Sequence, residues 1–149
     1  YVAALAGRGG GAGLVGGPMG SRWNGVINEN RLLAFKLRGT TILPPARKLV
    51  RQVSITDDLR SVIEDKELIS HGKKAYEQYC YMCHGLGVSS GGVIPDLRYA
   101  NSQTFVDWQA IVIGGSRSAQ GMRSFAGALS EDDALAIRAY VVQQAASLP

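Results

Sequence analysis

Cys80-Tyr81-Met82-Cys83-His84-Gly85 is the stretch that decides how this chain is read. Cys-x-x-Cys-His is an attachment signal for c-type haem. Two thiols one helical turn apart can add across the vinyl groups on one edge of a porphyrin. His84 then falls beneath the iron, where its imidazole serves as the proximal axial ligand. Two other chemistries use a Cys-x-x-Cys pair: a redox dithiol and half of a zinc site. A zinc site needs two more ligands, and outside the motif the chain offers only His71 and scattered carboxylates. A thioredoxin-like dithiol follows a strand and opens a helix. Here the order is reversed, since Ser70 to Tyr79 reads as helix and Gly85 to Gly92 as loop.

Outward from the motif the pattern is helical. From Leu68 the chain shows helix periodicity, with Ser70 as the expected N-cap and Gly72, Ala75, Tyr76 and Tyr79 on one face. After the loop 85–92 and Val93-Ile94-Pro95-Asp96-Leu97-Arg98, residues Ser102 to Ile113 are expected to form a second helix. Phe105, Trp108, Ile111 and Val112 fall at helical spacing there, and Gly114-Gly115 ends it. Gly114 to Gly127 reads as loop. Ser130-Glu131-Asp132-Asp133 is an N-cap followed by acids in the first turn. It opens a last helix with Ala134, Ile137, Val141 and Ala145 as its apolar face, and Tyr140 and Leu148 beside it. The expected fold class is therefore mainly α. About eighty residues give a small core, and a buried porphyrin supplies the missing apolar bulk. Covalent attachment keeps that bulk from dissociating.

An iron held by His84 needs a second axial ligand. His71 sits too close before the motif and is expected to be a surface histidine. Met82 lies inside the motif on the proximal side, and Met19 lies in the glycine-rich segment. Met122 remains, in Gly121-Met122-Arg123-Ser124-Phe125, where a strap between the second and last helices can fold over the distal face. A thioether there raises the reduction potential and favours electron transfer over oxygen binding. The Pro95 carbonyl is a candidate acceptor for the Nδ1 proton of His84, which would fix the ring tautomer. Arg98 is the first candidate donor to the haem propionates, with Trp108, Arg117 and Arg123 as alternatives.

The composition narrows the partners. The net charge of +4 over 149 residues is evenly spread, with no basic block carrying interleaved aromatics, so a nucleic acid partner is not expected. Both cysteines lie in the motif, so no structural disulfide can form. Covalent haem attachment in bacteria takes place outside the cytoplasmic membrane, which makes the periplasm the expected location. No apolar run approaches the roughly 18 residues needed to span a bilayer. The chain opens on Tyr1 without a leader, which reads as a mature form or a fragment.

Before the haem region the pattern changes. Tyr1 to Ala6 is an apolar run, and eight of the nineteen glycines fall between Gly7 and Gly20, which marks a loop between β elements. Gly11-Ala12-Gly13-Leu14-Val15-Gly16 matches the dinucleotide fingerprint, but Gly16, Gly17, Pro18 and Gly20 leave no helix to receive a pyrophosphate. After the turn Asn28-Glu29-Asn30, Leu33, Phe35 and Leu37 alternate with Ala34, Lys36 and Arg38 at strand period, and Gly39 stops the run. A lone strand cannot bury its apolar face, so this one is expected to pair with strands outside the 149 residues. Pro44-Pro45 breaks the chain, and Ala46 to Glu67 reads as a polar linker.

The haem motif, Gly91-Gly92-Val93-Ile94-Pro95-Asp96-Leu97-Arg98, Gly121-Met122 and the last helix with Tyr140 together resemble a class I c-type cytochrome. More narrowly, they resemble the C-terminal haem domain of quinohaemoprotein alcohol dehydrogenases, which depend on pyrroloquinoline quinone (PQQ). Tyr1-Val2-Ala3-Ala4-Leu5-Ala6-Gly7 and Asn30-Arg31-Leu32-Leu33-Ala34-Phe35-Lys36-Leu37 resemble the end of that family's β-propeller. The resemblance divides the chain into a propeller tail at 1–43, a linker at 44–67 and a class I cytochrome c-like haem domain at 68–149. It also implies a close crossing of the first and last helices at Gly72, with Tyr140 packed against the first helix.

The resemblance implies a function as well. The parent enzyme oxidises an alcohol at PQQ and calcium in its β-propeller domain. Electrons then leave singly through haem c to a periplasmic redox protein or a quinone. This piece alone carries electrons and oxidises nothing. Two positions depart from the family pattern: Arg123 stands where a proline usually follows the axial methionine, and Arg8 stands where a tryptophan is expected. The alternatives are a stand-alone periplasmic electron-carrier cytochrome c and a haem sensor with an open distal site. The strand Leu32 to Leu37 argues against the carrier, which has no use for an unpaired apolar strand.

Overall fold

The computed structural model describes residues 1–6, 31–45, 51–90 and 94–148. The glycine-dense run with Arg8 and Met19, the turn at Asn28 to Asn30, residues 46–50 and Gly91-Gly92-Val93 lie outside the described residues. Strand β1, Val2–Ala6, pairs antiparallel with β2, Arg31–Phe35, with Val2 opposite Phe35 and Ala6 opposite Arg31. This corrects the expectation that the strand must find its partner beyond the chain. The apolar run after Tyr1 is itself five residues long and completes the ladder. β2 stops at Phe35 because the chain turns there: the Gly39 N–H donates to the Lys36 carbonyl at 2.9 Å, with Arg38 at φ 61°. The pair remains uncovered, with Leu5 87%, Leu32 70% and Phe35 52% exposed. Two strands alone make no core.

The helical part builds one core, and all its buried residues lie from Leu59 onward. The first helix, α1, spans Asp57–Ser61 inside the stretch read as linker. Its Leu59 is buried, and Ile55, Val62 and Ile63 pack on the core. These four residues stand at i, i+4, i+7 and i+8, the spacing of a helical face, although only Leu59 lies within the helix itself. Helix α2, Lys66–Tyr79, begins before the expected Ser70. Asp65 is its cap, accepting from the Glu67 and Leu68 N–H groups at 3.0 and 2.9 Å. A single turn, α3, Tyr81–His84, carries the haem motif.

The expected helix from Ser102 to Ile113 is two short helices, α4 Ser102–Val106 and α5 Trp108–Val112. Asp107, at ψ 9°, breaks the run between them. Gly115 ends α5 at φ 69°, where only glycine is free of strain.

The last helix, α6, spans Glu131–Ala146. Its cap is a capping box: the Asp133 N–H donates to Ser130 Oγ, and the Ser130 N–H donates back to the Asp133 carboxylate at 2.9 Å. The expected single apolar face is wider here, because Ala136, Ala139, Tyr140 and Val142 are buried as well. α6 is the axis of the fold and touches α1, α2, α5 and the 3₁₀ turn Leu97–Tyr99.

Helices α2 and α6 meet at Gly72. A Cβ there would sit 1.9 Å from the Ala136 carbonyl oxygen and 2.3 Å from its carbon. One turn on, Tyr76 and Tyr140 meet edge to face, with ring centres 5.4 Å apart. On the outer side of the crossing, exposed His71 meets Asp133 at 2.6 Å.

Two outcomes follow. Gly72→Ala forces backbone against backbone, so the protein should lose about 3 kcal/mol, the upper end of overpacking costs, measured by denaturant unfolding. Asp133→Asn should cost about 1 kcal/mol at neutral pH through the weakened cap. The Ser130 backbone and hydroxyl bonds, helped by His71, hold the Asp133 pKa down at about 2. A depressed carboxylate pKa stabilises above its unfolded value and loses that stabilisation as pH falls. The gap between wild type and Asp133→Asn should therefore close between about pH 4 and pH 2, followed by unfolding at each pH.

Candidate haem-binding site

Helix α2 delivers the motif directly. The Cys80 N–H donates to the Tyr76 carbonyl at 2.9 Å, closing α2. The Cys83 and His84 N–H groups both donate to the Cys80 carbonyl, at 3.1 and 2.9 Å, closing α3. The two thiols are thus fixed on one turn, and both are free, Cys80 half-buried and Cys83 exposed. Burial, with Cys83 beside it, pushes the Cys80 thiol up to about 12, so it rests as a neutral thiol. The motif's exit is pinned from below, where the buried Tyr76 hydroxyl donates to the Gly85 carbonyl at 2.8 Å. Burial drives the Tyr76 hydroxyl far above the usual phenol range, so it stays a donor.

His84 is buried, and its Nδ1 lies 2.9 Å from the Pro95 carbonyl oxygen. A nitrogen facing a carbonyl must carry the proton, so Nδ1 is the N–H and Nε2 keeps its lone pair. Nε2 has no hydrogen-bond partner among the described residues. Burial lowers the His84 pKa, opposed by the Pro95 bond and the Asp96 charge. At neutral pH the ring is imidazole, the form that binds a metal.

The loop that presents Pro95 is braced on both sides. Ser90 Oγ donates to the Ile94 carbonyl. Buried Asp96 accepts from Arg98 at both oxygens, Nε at 2.9 Å and Nη2 at 2.7 Å. Arg98 Nη2 also donates to Ser89 Oγ at 3.1 Å. Its Nη1 has no hydrogen-bond partner among the described residues. Arg51 from the preceding segment approaches the same carboxylate at 3.6 Å and lies over the Tyr99 ring.

The other expected donors separate. Trp108 is buried with its indole N–H donating to the Ala134 carbonyl at 2.7 Å, so it has no proton left for a propionate. Arg117 is exposed and donates to Thr104 Oγ1 at 3.2 Å, while exposed Arg123 lies over Phe125. Met122 is half-buried and follows Gly121, whose φ of 93° turns the chain back. Ser124 Oγ donates to the Ile113 carbonyl at 2.5 Å, and the Phe125 N–H donates to the Val112 carbonyl at 2.9 Å. These bonds tie the strap to the end of α5.

The donor set is two free thiols, one imidazole lone pair and a thioether on a strap. Tyr79, Leu97, Ile113, Met122 and Phe125 each pack against the core yet stay half-covered. Such surfaces fit a large, flat apolar group joined through the two cysteines. Among the described residues no three His, Cys, Asp or Glu come together, so the zinc alternative has no ligand set there.

The chain matches a family model described as cytochrome c oxidase, cbb3-type, subunit III, over residues 67–141. The chain belongs to this cytochrome c family. It is 38% identical over 144 residues to quinohemoprotein alcohol dehydrogenase ADH IIB of Pseudomonas putida, covering 97% of this chain and 20% of that protein. The solved structure of quinohemoprotein alcohol dehydrogenase ADHIIG from Pseudomonas putida HK5 is similar at a TM-score of 0.70 and 31% identity, over 97% of this chain and 20% of that one. The quinohemoprotein alcohol dehydrogenase of Comamonas testosteroni is similar at a TM-score of 0.52 and 29% identity, over 74% and 16%.

The chain spans about a fifth of the length of the curated relatives it matches. The similarity lies in their C-terminal cytochrome c portion, as the sequence motifs imply. A cytochrome c domain carries haem, and its function is electron transfer. No helix among the described residues is long and apolar enough to cross a membrane.

Reading from sequence missed Tyr76, Ser90, Asp96 and Arg51 as supports of the motif. Only Asp96 left a trace, an acid directly after the acceptor proline and two residues before an arginine. Tyr76→Phe removes one of two donors to the buried Gly85 carbonyl, which keeps the Val88 N–H at 3.2 Å, and should cost about 1 kcal/mol. A lower denaturation midpoint at unchanged m-value in the haem-loaded protein is the expected result.

Proposed function

We propose that this cytochrome c domain is the electron-transferring end of a PQQ-dependent quinohaemoprotein alcohol dehydrogenase. Alcohol oxidation belongs to a β-propeller domain holding PQQ and calcium. The observation that carries the reading is the reach of the similarity, which covers 99% of the chain in one relative and so takes in β1 and β2, upstream of the match at 67–141. A stand-alone carrier gives no reason for that. On this reading 1–43 is the propeller's tail, 44–67 the connection and 68–149 the haem domain.

Haem iron supplies a reversible one-electron couple. Cys80 and Cys83 would hold the porphyrin edge as thioethers, which would remove both thiols from disulfide chemistry. His84 would hold the iron through Nε2, its ring fixed by the Pro95 carbonyl. Met122 would offer its sulfur to the iron from the strap, and a thioether ligand would raise the potential and favour electron transfer over oxygen binding. Arg98 Nη1 is left to meet a propionate. The domain's task is to pass electrons on, in the periplasm, to a small redox protein or a quinone.

The test is the mass and visible spectrum of haem-loaded protein beside Met122→Ala. Covalent haem in both, with the weak long-wavelength band of thioether-ligated ferric haem lost only in the variant, is expected. An unchanged spectrum would remove Met122 and reopen the distal side to ligands. For the parent enzyme, coding sequence for a propeller in frame before Tyr1 is expected, and a start with an export signal directly before Tyr1 would instead make this a free carrier.

A further inference from the structure

Asp96 is a carboxylate with 1% of its side chain exposed, one residue beyond the carbonyl that holds His84. A buried charge is kept only where partners repay its lost hydration. Asp96 has a bidentate Arg98 fork at 2.9 and 2.7 Å, the Arg98 backbone N–H at 3.2 Å and the Arg51 guanidinium at 3.6 Å. Both guanidinium groups lie over the Tyr99 ring, at 5.2 Å for Arg51 and 5.7 Å for Arg98. Arg98 also reaches back to Ser89, so the clamp joins both limbs of the loop between His84 and Pro95.

The geometry bears on the imidazole. The Pro95 C=O and the Asp96 N–H belong to one rigid peptide plane. Whatever fixes the Asp96 backbone therefore fixes the direction of the carbonyl that accepts from Nδ1. The buried negative charge also lies where it favours the more positive, oxidised state of an iron held by Nε2.

We propose that Asp96, clamped by Arg98 and Arg51, is a positioning residue for His84 that holds the Pro95 carbonyl on Nδ1 and lowers the site's reduction potential. The inference rests on His84 carrying haem. It makes Arg51, in the segment before α1, part of the same control with the opposite sign.

The test is the reduction potential of haem-loaded Asp96→Asn and Arg51→Gln, by titration against redox mediators. Asp96→Asn keeps the shape but removes the charge. It should shift the equilibrium about tenfold toward the reduced form, about 59 mV upward for one electron. Arg51→Gln removes a cation beside the carboxylate and should move the potential down, by less. Loosening alone would let water reach the iron and lower both. An Asp96→Asn potential within twofold of wild type, or both variants moving the same way, overturns the proposal. If Asp96→Asn does not fold, Arg51→Gln decides: a potential unmoved or raised overturns it. Covalent haem in the wild type is established first by mass. Its absence would overturn the haem reading itself, whereas loaded protein with unmoved potentials overturns only the role of Asp96.

Discussion

The close crossing of α2 and α6 at Gly72 is the constraint on which the domain depends. With no Cβ at that point the two backbones approach until the Ala136 carbonyl fills the place a side chain would take. That approach brings Tyr76 against Tyr140 and leaves the Tyr76 hydroxyl under the haem motif, where it holds Gly85. Structure and function share the same few residues here. The contact that stabilises the fold also fixes the end of the helix from which both cysteines and His84 project.

From that anchored end, chemistry is set by which atoms are occupied. Pro95 takes one nitrogen of the His84 ring, and the other has no hydrogen-bond partner among the described residues. Asp96 engages two of the three side-chain nitrogens of Arg98. The indole of Trp108 is taken by the backbone of α6. A ring held in one tautomer needs little rearrangement when an iron changes charge, and small reorganisation suits a domain that carries electrons. The strap bearing Met122 is fastened by Ser124 and Phe125, which offsets the absence of a proline at Arg123.

Legibility followed chemical locality. Attaching a porphyrin through two thioethers and the next imidazole requires neighbours in sequence, so Cys80, Cys83 and His84 could be read at once. Pro95 was within reach because a proline-bearing loop follows the motif closely. Trp108 stood among the alternative propionate donors because its actual acceptor is 26 residues away, on a helix whose position no local pattern gives. Helix α1 was hidden because Asp57, Asp58 and Arg60 surround Leu59 and make the stretch look like a solvated linker. Its i, i+4, i+7, i+8 apolar spacing was present but sparse. The wide buried face of α6 likewise depends on neighbours arriving from several sides. Small residues such as Ala136 and Ala139 give no periodic signal, and only the close approach of another backbone shows why they are there.

The most direct measurement is nuclear magnetic resonance of the reduced, haem-loaded protein with isotope-labelled histidine. The His84 ring is expected to show a slowly exchanging Nδ1 proton, bonded to a carbonyl, and an Nε2 without a proton, on the iron. A ring that exchanges rapidly at Nδ1, or that carries its proton on Nε2, would contradict His84 as the iron ligand oriented by Pro95.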